Sequence, residues 1–176
     1  GSVYGFPFTG NTWFMYYDKS VFSDEDIKSL DAMLEKGKVA FPLDNSWYIA
    51  AFYVANGCTL FGENGGDADA GFDFSGDKAV AVTNYLVDLI ANPNFSNGDV
   101  GTNADAKAFF SGTWDYQKAV DAYGDNLGIA APPSINIGGE MKQMKSFAGS
   151  KAIGVNPATA LYKEHPEIAV ALAAYL

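Results

Sequence analysis

The sequence predicts an α/β domain, a sheet flanked by helices, and three observations carry that prediction. Runs of strand-forming residues alternate with stretches of helical apolar spacing from one end of the chain to the other. Turn formers such as Gly37, Gly57, Asn92-Pro93 and Pro132-Pro133 fall between these runs. Hydrophobic residues make up 48% and charged residues 18% of the 176 positions, a globular composition. A chain of this size buries roughly 70% of its unfolded surface.

Thr12 to Tyr17 is an uncharged run of strand formers, bounded by Gly10-Asn11 and Asp18, and reads as a buried strand. Ser23 then caps a helix whose first turn, Asp24-Glu25-Asp26, suits the helix dipole. Phe22 staples onto Ile27, the apolar stripe is Ile27, Leu30, Met33 and Leu34, and Gly37 ends the helix. Val39 to Leu43 reads as a second strand, and Asp44-Asn45-Ser46 caps a helix from Trp47 to about Ala55. Thr59 to Phe61 leads into the loop Gly62 to Gly71. The alternating acids that start at Asp67 match a calcium loop poorly, because position five is Gly and no Glu closes it, so they read as a solvated loop.

Gly76 to Ala91 is the clearest amphipathic helix, with Ala79, Val82, Leu86, Leu89 and Ile90 on one side. Asn94 to Asn103 reads as a turn-rich link. Lys107 to Phe110 has strand composition, Gly112 permits a tight bend, and a helix follows from Trp114 to Tyr123. Asn126 to Ala131 is a strand, and Ile135 to Ile137, the turn Gly138-Gly139 and Met141 to Phe147 read as a hairpin or a loop with its own strand. Lys151 to Val155 is a last strand, and Glu167 to Leu176 is a helix with Pro166 in its first turn.

Two strand-to-helix turns deliver aromatic pairs, Trp47-Tyr48 and Trp114 with Tyr116. Such rings are either core or ligand platforms. Around Trp114 the interleaved Asp115 and Gln117 favour a ligand, because a sugar ring presents an apolar face and a polar rim. Trp13, inside the buried strand, reads as core. His165, before Pro166, reads as an exposed turn residue.

Eleven basic against twenty-one acidic residues give a net charge of −10, which argues against nucleic acid and anionic lipid surfaces as partners. Cys58 is the sole cysteine, so no intrachain disulfide and no cysteine pair for a metal is available. No cofactor is expected. The carboxylates needed for a glycosidase lie mostly in helix starts and acidic loops, where capping and solubility account for them. A stand-alone carbohydrate-binding or adhesion module would use the same aromatics, but such modules are commonly all-β.

Several stretches also carry a resemblance. The run Tyr4-Gly5-Phe6-Pro7-Phe8-Thr9-Gly10-Asn11-Thr12-Trp13-Phe14-Met15-Tyr16-Tyr17-Asp18-Lys19 resembles the crossover strand of extracellular solute-binding proteins of the maltodextrin-binding type, the substrate receptors of ABC sugar importers. The stretch Phe41-Pro42-Leu43-Asp44-Asn45-Ser46-Trp47-Tyr48 resembles their first aromatic turn, and Ser111-Gly112-Thr113-Trp114-Asp115-Tyr116 their second. Ser146-Phe147-Ala148-Gly149 and Ala152-Ile153-Gly154-Val155-Asn156 resemble the return into the first lobe. The link from Gly98 to Lys107 departs from the pattern, being short for the helix usual there.

The resemblance implies a periplasmic-binding-protein-like lobe, a mixed sheet flanked by helices, excised from a two-lobe protein roughly twice as long. Gly1-Ser2 reads as a cloning scar, and residues 3–176 as a single lobe in which 3–17 and 150–176 run toward the missing first lobe. It further implies that Trp47, Tyr48, Trp114 and Tyr116 stack on a malto-oligosaccharide-like ligand. Asp44, Asn45 and Asp115 would be polar partners, with Gly10 and Asn11 facing the cleft from the crossover. The implied function is binding without catalysis, with an ABC transporter permease as partner. The implied location is extracellular or cell-surface, lipid-anchored in a Gram-positive-type bacterium, or periplasmic, with membrane attachment only through an anchor outside this chain.

Overall fold

The computed structural model describes residues 5–175. The expected cloning scar at Gly1-Ser2, Tyr4 of the stretch read as a crossover and Leu176, the expected end of the last helix, lie outside the described residues. The chain divides into two units, residues 13–147 and residues 5–12 with 148–175.

The smaller unit opens with β1 (Phe6–Thr12). The larger unit then runs through β2 (Phe14–Asp18), α1 (Leu30–Lys36), β3 (Val39–Phe41), α2 (Ser46–Ala55), β4 (Thr59–Leu60), β5 (Phe72–Asp73), α3 (Gly76–Ala91) and β6 (Phe95–Asn97). It continues through β7 (Ala108–Ser111), α4 (Tyr116–Tyr123), β8 (Leu127–Ala130), β9 (Ser134–Ile137) and β10 (Glu140–Gln143). The smaller unit closes with β11 (Ala148–Ile153), α5 (Ala160–Glu164) and α6 (Pro166–Tyr175).

The central sheet of the larger unit is mixed, in the order β6-β3-β7-β2-β8. β6, β3 and β7 are parallel, while β2 runs antiparallel to both β7 and β8. Residue alternation sorts the side chains onto two faces. Met15, Tyr17, Val39, Phe41, Ala108 and Phe110 join the core built with residues of α1, α2 and α3. Tyr16, Ala40 and Phe109 point the other way and pack with Ala119 and Tyr123 of α4. Both faces being covered explains why these strands read as near-continuous apolar runs.

In the smaller unit β1 pairs antiparallel with β11, placing Gly10 opposite Ser150 and Asn11 opposite Gly149. The pairing carries β11 back to Ala148, ahead of the expected start at Lys151. Asn156 and Thr159 form a turn that the sequence did not announce as a helix start, and Thr159 caps the short α5 by accepting from the Tyr162 amide at 3.3 Å. His165 lies at the exposed junction between α5 and α6.

Other differences have local causes. The expected strand from Thr12 is interrupted, because β1 and β2 take different partners and Trp13 between them is wholly buried. The edge strand β6 arises within the turn-rich link by adding parallel to β3, a tertiary contact with no local signal. On α3 the buried stripe is Ala79, Val82, Leu86 and Leu89, while Ile90 is 62% exposed, a helical step of about 100° beyond Leu89. The helix expected from Ser23 is broken in two. Asp26–Lys28 forms a single 3-10 turn, Ser29 is extended, and α1 starts afresh with the Ser29 hydroxyl accepting from the Ala32 amide at 3.3 Å.

At that broken helix start the capping is reciprocal: the Asp26 amide donates to the Ser23 hydroxyl oxygen at 3.4 Å, while the Ser23 amide and hydroxyl both donate to the Asp26 carboxylate, at 2.9 and 2.6 Å. Lys36 adds an ion pair at 2.9 Å. Hydrogen bonds from Ser23, then Lys36, hold the Asp26 pKa down to about 2. A depressed carboxyl stabilises the fold fully above its unfolded value, near 4, and that contribution disappears as the pH falls through about 2. Asp26→Asn should therefore lower the melting temperature at neutral pH, and the gap to the parent should close between these two values. Melts across that range check it, and a gap that does not change with pH would count against the assignment.

Candidate functional site

The three parallel strands β6, β3 and β7 end on the same edge of the sheet, and the chain leaves each of them through a loop there. In open α/β sheets that carboxyl edge is where ligands bind. After β3, Pro42 begins the loop, and Asn45 starts α2 by accepting from the Trp47 amide at 2.9 Å. The β3 and β6 loops are stitched together, since the Leu43 amide donates to Asn97 Oδ1 at 2.8 Å and the Gly98 amide to the Phe41 carbonyl at 3.2 Å. After β7 comes Gly112, then a 3-10 turn over Thr113–Asp115, then α4. A Cβ at Gly112 would land on the six-membered ring of Trp114, so glycine is what lets that ring fold back over the turn.

Between these loops lies a pocket of about 240 Å³, lined by Pro42, Asn45, Tyr48, Gly98, Asp99, Thr102, Phe110, Ser111 and Asp115. Its polar groups are linked. Ser111 Oγ donates to Asp115 Oδ2 at 2.5 Å, and Lys118 Nζ lies 3.0 Å from Asp115 Oδ1 and 2.6 Å from Asp99 Oδ2. Burial pulls the Asp99 carboxyl upward, but hydrogen bonds from Lys118 and the Gly101 amide outweigh it and hold it below the ordinary range. Burial raises the Tyr48 phenol, opposed by hydrogen bonding to Ser111 and reinforced by the charges of Asp115 and Asp99.

The structure distributes the sequence candidates unevenly. Asn45, Tyr48 and Asp115 line the polar pocket, and Asp44 is exposed on the same loop. Tyr48 is not placed as a stacking surface: its ring is 7% exposed and packs on Trp13, with centroids 5.3 Å apart, and on Phe41 at 6.1 Å. Trp47 turns instead into a separate apolar pocket of about 400 Å³ with Ser46, Ala50, Leu60, Phe74 and Phe147. Its ring meets Phe147 at 5.7 Å and 45°. Trp114 and Tyr116 are each 52% exposed, which removes the core alternative for both. Gly10 and Asn11 belong to β1 of the smaller unit, Gly10 exposed and Asn11 half-buried.

Sequence reasoning passed over Ser111, Asp99, Thr102 and Lys118, and also Leu60, Phe74 and Phe147. Ser111 and Phe147 lie inside the stretches that carry the resemblance, but neither residue type by itself signals a pocket. Asp99 and Thr102 became pocket residues only through the unannounced pairing of β6.

Against this geometry, the profile of a family described as bacterial extracellular solute-binding protein matches residues 1–176. The chain belongs to that family. A maltooligosaccharide ABC transporter solute-binding lipoprotein of Streptococcus pneumoniae is 28% identical over 178 residues, covering 86% of this chain and 40% of the relative. A protein solved with acarbose is 56% identical and superposes with a TM-score of 0.88, over the whole of this chain and 47% of its own. The maltodextrin-binding protein of L. casei BL23, solved without ligand, superposes at 0.86 with 23% identity, over 99% of this chain and 47% of its own. At that identity the likeness establishes the fold, which is the periplasmic-binding-protein lobe with a mixed sheet that the sequence implied. This chain spans about half the length of the relatives it matches.

Proposed function

We propose that this chain supplies one wall of an oligosaccharide site in the receptor of an ABC importer, binding malto-oligosaccharide-like sugars without hydrolysing them. In this reading, residues 3–17 and 150–176 are the crossover and return segments, and most of their described residues belong to the smaller unit. The observation that carries it is the turn after β7. Trp114 and Tyr116 are large, half-exposed rings at a strand-to-helix junction, next in sequence to Asp115 of a pocket of hydroxyl and carboxylate groups. Flat apolar faces next to hydrogen-bonding groups are what a pyranose needs. Support also comes from the maltooligosaccharide-transporter relative and from the 56% identical protein solved with acarbose. The same reading gives a membrane permease as partner and an extracellular place of work.

Hydrolysis is disfavoured by the site's charges. A glycosidase needs one carboxylic acid kept protonated near neutral pH, whereas hydrogen bonds from Lys118 and the Gly101 amide hold the Asp99 carboxyl below the ordinary range. Titration of the two-lobe receptor that contains this chain with maltotetraose, followed by tryptophan emission, tests the binding. A saturable change in emission is expected, with no release of reducing ends over hours. An emission unchanged up to concentrations on the order of 10 mM, beyond the weak millimolar range, would overturn the binding reading.

A further inference from the structure

Resting on the saccharide reading above, we propose that Lys118 is a positioning residue, whose single ammonium group clamps together the two walls of the polar pocket and so sets its width. One wall is the loop after β6, residues 98–103, and the other is the turn 112–115. Asp99 organises the first wall. Its carboxylate accepts from the Gly101 amide at 2.7 Å and the Thr102 amide at 3.2 Å, and its carbonyl accepts from the Thr102 hydroxyl at 3.1 Å. Lys118 reaches this carboxylate at 2.6 Å and Asp115 in the second wall at 3.0 Å.

The ammonium comes from a fixed element. α4 is anchored by Ala119, buried in the core next to Lys118, and by Tyr123, whose hydroxyl donates to the Ala106 carbonyl at 3.2 Å. The charges alternate as carboxylate, ammonium, carboxylate. Removing the central one leaves Asp99 and Asp115 as like charges on facing walls, which repel. The Lys118 ammonium is held in its charged form chiefly by the hydrogen bond to Asp99, which offsets the cost of partial burial, with Asp115 adding to it. Asp115 spends one acceptor site of each oxygen on Ser111 and Lys118. A carboxylate has about four such sites, so the rest remain for sugar hydroxyls, aimed by the clamp.

Lys118→Met keeps an unbranched apolar stem and removes the charge, whereas Lys118→Arg keeps the charge. Two readouts decide the matter: maltotetraose affinity by tryptophan emission, and amide exchange at Gly101 and Thr102. In Lys118→Met the affinity should fall roughly five- to tenfold, in line with losing a charge-assisted contact. Exchange at both amides should quicken while the melting temperature stays near that of the parent, and Lys118→Arg should restore both. Unchanged affinity or unchanged exchange in Lys118→Met would overturn the role of Lys118 alone. Absence of maltotetraose binding by the unaltered two-lobe receptor would overturn the saccharide reading itself and this role with it.

Discussion

Trp13→Ala should destabilise the fold by about 3–5 kcal/mol, the scale for truncating a fully buried tryptophan. The ring is 0% exposed and edge-on to Phe41 and Phe110, with centroids at 5.7 and 6.0 Å, while Tyr48 lies tilted beside it. Its indole N–H donates to the Trp47 carbonyl at 3.0 Å in the first turn of α2. The substitution thus opens a cavity among aromatic rings and also removes the donor that holds the start of α2. Part of the loss should appear at the site, because Tyr48 and Phe110, which lean on Trp13, also line the polar pocket. Chemical denaturation gives the difference directly. Trp13→Phe should cost less, since it keeps most of the apolar volume and loses only the hydrogen bond and part of the ring. A Trp13→Ala variant within about 1 kcal/mol of the parent would contradict the packing assigned to this residue.

The central strands and main helices were legible because their side chains obey one period each. Met15, Tyr16 and Tyr17 split between the two faces of β2 by alternation, and α3 spans Gly76–Ala91, the bounds expected from its stripe. What escaped was set by distant partners. β6 has no strand signal of its own and exists because β3 offers it a parallel edge. Serine at position 29 looked like one more polar residue on a continuous helix, yet it ends one turn and caps the next. The site was half legible for the same reason. A strand end followed by glycine and tryptophan announces a turn that carries a ring, but not which way the ring faces. Trp47 and Trp114 occupy similar turns and similar sequence settings. The structure sends Trp47 toward Phe74 and Phe147 and leaves Trp114 half in solvent, because Gly112 gives Trp114 room to fold back over its own turn. Burial of Tyr48 could not be read from sequence either, since the ring that covers it, Trp13, lies 35 positions earlier and comes from another strand end.

Trp114→Ala should weaken maltotetraose binding by about 1–3 kcal/mol, between roughly fivefold and 150-fold, while leaving the melting temperature nearly unchanged. The separation follows from exposure. A ring that is 52% exposed contributes little to the core, so its removal leaves no cavity, whereas a sugar stacked on it would lose a large apolar face. Trp47→Ala should behave differently, because that ring is partly covered by the core and by Phe147 and its loss should register in the melt as well as in any titration. Gly112→Ala adds a control that keeps the indole. The new Cβ displaces the ring, so emission of the free protein should shift and affinity should fall toward that of Trp114→Ala, with the ring still present. Should Trp114→Ala instead unfold the chain, the ring is structural. Should it bind maltotetraose as tightly as the parent, the sugar does not stack there, and the platform would have to be sought at Tyr116 or in the apolar pocket beside Trp47.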